Sequence, residues 1–167
     1  PLEGLVMGTR AGDVDAAVVT FLMEKENLTP QEMDNILNKK SGVLGISGVS
    51  SDFRDVEDAS EHGNERAGMA LDVFAYKVAK RIGAYAAAMN GVDAIAFTAG
   101  VGENDIEIRE ELCEKYWGYL GVKIDKEANH TRGENKLISA ADSKVKVLVI
   151  PTNEELVIAQ DASRLTA

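Results

Sequence analysis

Four stretches of this sequence place residues capable of phosphate chemistry beside glycines or behind apolar runs: "MGTRAGD" (7–13), "SGVSSDFRD" (47–55), "AFTAGVGEND" (96–105) and "PTNEELVIAQ" (151–160). The first offers Arg10 and the second offers Asp52 and Arg54. A guanidinium donates two parallel hydrogen bonds to a phosphoryl group and keeps its charge, although most arginines serve in surface ion pairs. In the third stretch, Gly100-Val101-Gly102 lets the backbone come close to a ligand, and a helix starting near Asn104 would aim unpaired N–H groups at the same space. The same residues also read as a plain strand-to-helix turn, with Asn104 as N-cap of a helix over 105–118 and Glu107 completing the cap. Asp105 stands where a dinucleotide fingerprint needs its third glycine, and no Gly-Lys-Ser/Thr follows, so neither a Rossmann nor a P-loop assignment applies. In the fourth stretch, Thr152 and Glu155 have capping-box spacing. That leaves Glu154 in the first helical turn, as a Mg²⁺ ligand or as a solvated acid favoured by the helix dipole.

The elements that would position these residues follow from periodicity. Residues 13–26 carry apolar side chains at helical spacing, and "TPQE" (29–32) is a capping box with Pro30 at the first helical position. From Gly63 to Asn90 an apolar stripe through Ala67, Ala70, Leu71, Phe74, Ala75, Val78, Ile82, Tyr85 and Met89 predicts a long core helix. "VDAIAF" (92–97) and "VKVLVI" (145–150) are short β-branched runs, each followed by a polar loop and a helical pattern, and they predict buried central strands. Strand, loop and helix occurring twice argue an α/β architecture in which ligands gather beyond the carboxyl ends of the strands.

Composition bounds the partners. With 28 acidic against 18 basic residues the net charge is −10, which repels nucleic acid and anionic membrane surfaces. A phosphate-bearing ligand must then be held by local N–H groups, a metal ion and a few arginines. No apolar run reaches the roughly 20 residues of a membrane span and no signal peptide is visible, so a cytoplasmic protein is expected. The lone Cys113 reads as a structural thiol, and His62 and His130 read as surface residues. Nothing in the 167 residues marks a linker, so one domain is expected, and a start at Pro1 suggests a piece of a longer chain.

Four motifs, "PLEGLVMGTRAGDVD", "GVLGISGVSSDFRD", "FTAGVGEN" and "IPTNEELVIA", occur in that order. In them the whole chain resembles the C-terminal half of the acetate kinase family, a member of the sugar kinase, heat-shock chaperone and actin superfamily. The resemblance implies a ribonuclease-H-like, actin-like ATPase domain, with a central mixed sheet flanked by helices, over residues 1–167. It implies reversible transfer of the ATP γ-phosphoryl group to acetate, giving acetyl phosphate and ADP, with Mg²⁺ (or Mn²⁺) as the ion. Arg10 would then stabilise the transferring phosphoryl group and Glu154 would bind the metal. Asp52, Phe53, Arg54, Gly100, Val101, Gly102, Glu103 and Asn104 would bind ATP. The family's catalytic Asp, its transition-state His, a second Arg and a metal-holding Asn lie in an N-terminal half with no counterpart here. The chain is therefore expected to be catalytically incomplete alone and to form a homodimer as the family does. Ala11 stands where the family usually has Ser, Ala16 where it often has Pro, and Val101 where it often has Ile. Propionate and butyrate kinases share most of these motifs, and a noncatalytic nucleotide-binding or dimerisation module is the reading from another class.

Overall fold

The computed structural model describes residues 2–166, apart from the side chain of Glu154. The chain divides into two compact units that meet between Ala88 and Met89, a boundary marked by no change in composition.

The first unit is helical. Helix α1 (Ala16–Lys25) starts at Asp15, whose side chain accepts from the Ala17 N–H, and α2 (Pro30–Lys39) carries the anticipated capping box between Thr29 and Glu32. Two shorter helices, α3 (Gly42–Ser47) and α4 (Phe53–Glu61), pack against the long α5 (Glu65–Ala88). Val43, Val56, Ala67 and Ala70 are fully enclosed at this junction, with Ile46, Phe53, Ala59 and Leu71 around them. The alanines of α5 let its neighbours approach closely, as the stripe predicts. The stripe does not hold to its end. Tyr85 is 58% exposed and Met89, beyond the helix, is 63% exposed, because α3 and α4 cover the earlier turns of α5.

Backbone contacts shape the segment that carries Arg10. The amides of Val43 and Leu44 at the start of α3 donate to the carbonyls of Met7 and Gly8, and the Ser41 N–H donates to the Thr9 carbonyl. These bonds use donors that a helix start would otherwise leave unpaired. They also bring two backbones together so closely that a Cβ on Gly42 would lie 2.1 Å from the Met7 oxygen.

The second unit holds a three-stranded mixed sheet in the order β1-β3-β2. Strands β1 (Ala94–Phe97) and β3 (Lys146–Val149) are the two strands read from the sequence, and they pair in parallel with Phe97 opposite Val149. Strand β2 (Lys136–Leu137) is too short to show a period in the sequence and joins β3 antiparallel. Ile95, Phe97, Val147 and Val149 turn inward, and Phe97 lies 5.9 Å from the buried ring of Trp117. The alternating burial shows that one face of each strand is covered, rather than the two faces a continuous apolar run suggests. Between the strands run α6 (Ala99–Asn104), α7 (Ile106–Glu111), a π-helical turn at Leu112–Tyr116 and α8 (Lys126–Asn129); α9 (Glu154–Thr166) follows β3. Cys113 sits buried in the π-helical turn, and desolvation pushes its thiol up to about 12, as befits a structural cysteine.

The close approach at Gly42 has a measurable consequence. Gly42 (φ +67°) and Gly63 (φ +88°) are both left-handed, yet a Cβ on Gly63 would meet nothing within 4 Å. Gly63→Ala is expected to cost only the left-handed penalty of about 1–2 kcal/mol. Gly42→Ala should cost clearly more in chemical denaturation, and equal losses would show that the Met7 contact yields freely.

Candidate functional site

Parallel pairing of β1 with β3 brings the segments that follow them to one edge of the sheet. After Phe97, Thr98 is still extended, and Ala99 turns into the left-handed region at φ +57°. The chain then enters α6 at once. Gly100-Val101-Gly102 is therefore helical and not a loop ahead of a helix, which corrects the sequence reading. The predicted N-cap is displaced too. Asp105, not Asn104, caps the next helix by accepting from the Ile108 N–H at 2.9 Å, and α7 ends at Glu111 rather than 118. Asn104 instead donates from Nδ2 to the Gly100 carbonyl at 2.9 Å, closing α6 on itself.

The two glycines differ in what they face. A Cβ on Gly100 would meet nothing within 4 Å, whereas one on Gly102 would lie 3.3 Å from the Phe97 carbonyl carbon. At Gly100 the space around the backbone is open, and Gly102 is small so that α6 can pack on β1. Glu103 turns across the edge, where its Oε1 accepts from both the backbone N–H and the hydroxyl of Thr152, each at 2.7 Å. Those two donors hold its carboxyl below the ordinary range.

This bond also overturns the capping box expected at Thr152 and Glu155. The Thr152 hydroxyl is engaged by Glu103, and Asn153 Oδ1 accepts from the Leu156 N–H at 3.0 Å in its place. Glu155 is exposed on α9. Glu154 is the first residue of α9, and its side chain lies outside the described residues. Among the described residues no group of three or more His, Cys, Asp or Glu is placed to hold a metal.

In the first unit, the Arg10 carbonyl accepts from the Met7 N–H at 3.0 Å in a tight turn, and the exposed Arg10 helps line a hollow of about 170 Å³ with Leu2, Glu3, Leu5 and Met7. This turn touches the second arginine's segment. A Cβ on Gly8 would lie 2.7 Å from the Ser51 carbonyl oxygen. Asp52 is the N-cap of α4, accepting from the Arg54 N–H, and it also receives the Arg54 guanidinium in a fork at 3.0 and 2.6 Å. The Arg54 side chain beside it lowers the Asp52 carboxyl to about 2, against an ordinary 3.8. This pairing contributes fully above the ordinary value and is lost as pH falls through about 2. Phe53 points the other way, edge-on to Phe74 with centroids 4.7 Å apart, so its visible task is packing. His62 and His130 are exposed, as anticipated; Asp58 lies beside His62 and raises its affinity for a proton.

One residue escaped the sequence reading. Arg109 is wholly buried beneath α6 and bonded to Gly102, Asn129 and Thr131. In the acid-rich "IEIREE" of α7 it reads as a surface ion-pair former, and no local pattern signals otherwise.

Comparison with known proteins gives these motifs their context. Residues 1–160 match the Acetokinase family. The chain belongs to this family. Over 99% of its length it is 61% identical to the acetate kinase of Halothermothrix orenii and 63% identical to that of Agathobacter rectalis, covering 41% and 42% of those proteins. Among solved structures, acetate kinase from Porphyromonas gingivalis superposes with TM-score 0.93 at 50% identity, over 100% of this chain and 42% of that one. A propionate kinase from Francisella tularensis reaches 0.87 at 39% identity, over 96% and 40%. The chain thus spans about two-fifths of the acetokinase-family proteins it matches.

The bond between Glu103 and Thr152 predicts how the turn responds to acid. In an NMR titration the Glu103 side-chain carboxyl should titrate below 4.5, with the Thr152 amide shift following it, and Glu103→Gln should abolish that inflection. A midpoint at or above 4.5 would mean that the bond does not persist in solution.

Proposed function

We propose that this chain is the C-terminal nucleotide-binding and dimerisation domain, over residues 1–167, of an ATP-dependent acetate kinase with the ribonuclease-H-like fold of the actin-like ATPases. The observation that carries this reading is identity above 60% to acetate kinases along nearly the whole chain. In the reaction, a carboxylate oxygen of acetate forms a bond to the γ-phosphorus of ATP. The bond to the bridging oxygen breaks and ADP departs, and the reverse reaction returns acetyl phosphate and ADP to acetate and ATP.

Little covalent chemistry falls to the protein in such a transfer, and positioning with charge stabilisation supplies the catalysis. Arg10 is assigned to the charge on the equatorial oxygens of the transferring group. Asp52, Phe53 and Arg54, and the segment Gly100, Val101, Gly102, Glu103 and Asn104, are assigned to the nucleotide. Within the second segment the work divides. The open Cβ position of Gly100 leaves space for the ligand, while Glu103 and Asn104 hold the backbone that surrounds it. Arg54 and Asp52 reach the nucleotide as a preformed pair, so the arginine arrives already oriented.

The donors near α9 suit Mg²⁺, or Mn²⁺ in its place, only in part. Glu154 is a hard oxygen donor at a helix start, but the Thr152 hydroxyl is directed at Glu103, to which it donates, and the Asn153 side-chain oxygen accepts from the Leu156 N–H. Glu154 would hold the ion as a single carboxylate, with further ligands drawn from outside this segment. When bound, the ion neutralises charge on the phosphates. Residues outside this chain are assigned the acetate pocket and the remaining catalytic groups, so the chain by itself is proposed to lack turnover.

We place the enzyme in the cytoplasm as a homodimer; no helix among the described residues is long and apolar enough to cross a membrane. The likeness to a propionate kinase favours a second reading in which the acyl acceptor is longer than acetate.

Two substitutions in the full-length enzyme test these assignments. Arg10→Ala should lower kcat by about 10²–10³ while nucleotide affinity stays within a few-fold, since the lost donor acts in the transition state. A change confined to KM would remove that role. Glu154→Ala should raise the Mg²⁺ concentration needed for half-maximal rate, and an unchanged requirement would remove the metal assignment.

A further inference from the structure

Arg109 is a charged side chain with no exposure, and all four of its hydrogen bonds end on uncharged oxygens. Nε donates to Asn129 Oδ1 at 2.8 Å, and Nη2 donates to the carbonyls of Asn129 at 2.9 Å and Thr131 at 2.8 Å. Nη1 points the opposite way and donates to the Gly102 carbonyl at 2.9 Å. The planar guanidinium thus spans two pieces of backbone at fixed angles, the bend at 129–131 on one side and α6 on the other. The bend is itself secured, because buried Asn129 donates from Nδ2 to the Ile106 carbonyl at 2.9 Å. A buried ion held this way resists displacement, since any shift leaves donors without partners.

The piece of backbone that Arg109 grips carries strain. Ala99 sits at φ +57°, where a Cβ is unfavourable, and such a residue persists only where its surroundings hold it. Three tethers surround it: Asn104 to Gly100 inside α6, Glu103 to Thr152 across the sheet edge, and Arg109 to Gly102 from beneath. Of these, only the Arg109 tether comes from a side chain with no exposure to water.

We propose that Arg109 is a positioning residue that holds the strained 98–104 segment in its nucleotide-binding shape through the Gly102 carbonyl. It touches no nucleotide, and it sets affinity by keeping Gly100 open. This inference rests on the reading of that segment as the nucleotide site.

The test uses full-length enzyme and MgADP. Arg109→Lys keeps the charge but cannot bridge both sides, and should weaken MgADP binding by about tenfold in calorimetry, with KM for acetate within twofold of wild type. Asn129→Ala removes the Nε acceptor and the Ile106 link while leaving the Gly102 bond. It should lower the melting temperature as much as Arg109→Lys does, yet keep MgADP affinity within twofold. Affinity within twofold of wild type in a folded Arg109→Lys enzyme would overturn the proposal. So would affinity losses in the two variants that simply track their melting temperatures. A measurement on the wild type guards against a variant that fails to fold. Coupling is reciprocal, so saturating MgADP must slow hydrogen exchange at the Arg109 Nε–H, and an unchanged rate would overturn the proposal equally. Gly100→Val separates the two claims. If it leaves MgADP affinity intact, the nucleotide reading of the segment fails; if it weakens binding and Arg109→Lys does not, only the positioning role fails.

Discussion

Everything at the candidate site of the second unit depends on the parallel register of β1 and β3. Two parallel strands end on the same side, so the segments beginning at Thr98 and Ile150 leave the sheet together, and Ile150 still donates to the Phe97 carbonyl at 2.8 Å. A register slip of one residue would turn Phe97 and Val149 out of the core and carry Glu103 away from Thr152. The buried side chains that fix the strands therefore also fix the site. Trp117 against Phe97 is one of the contacts that hold β1 in that register.

A second constraint governs the first unit, where backbone meets backbone with no side chain between. Gly8 against Ser51 and Gly42 against Met7 are contacts that no other residue type permits. They set Arg10 in a tight turn whose carbonyls satisfy the amides at the start of α3. Such a turn restricts the backbone that carries Arg10 before any ligand arrives, and the role proposed for Arg10 draws on that rigidity.

The sequence was informative wherever a local rule acted alone. The capping box at Thr29, the long α5 and the strands β1 and β3 obey periodicity or capping chemistry within a few residues and lie along the chain where those rules put them, although β1 is an edge of the sheet and not a central strand. It misled where two rules competed for one group. Thr152 has capping-box spacing with Glu155, yet its hydroxyl belongs to Glu103, which lies 49 residues away and is a partner no window can see. Asn104 and Asp105 are both good N-caps, and the left-handed turn at Ala99 started a helix early and passed the cap to Asp105. The sequence was silent on Arg109, because burial of a charge is a property of tertiary structure alone. Four motifs supplied the family, but the division of labour between Gly100 and Gly102 came only from what surrounds them.

The nucleotide site proposed for this chain rests on the segment from Ala99 to Asn104. Backbone hydrogen exchange on the full-length enzyme, measured with and without saturating MgADP, addresses it most directly. Strong slowing is expected at the amides of 99–104, the segment to which Asn104, Glu103 and Arg109 are hydrogen-bonded. Undiminished exchange there, with protection appearing elsewhere in the enzyme, would contradict it.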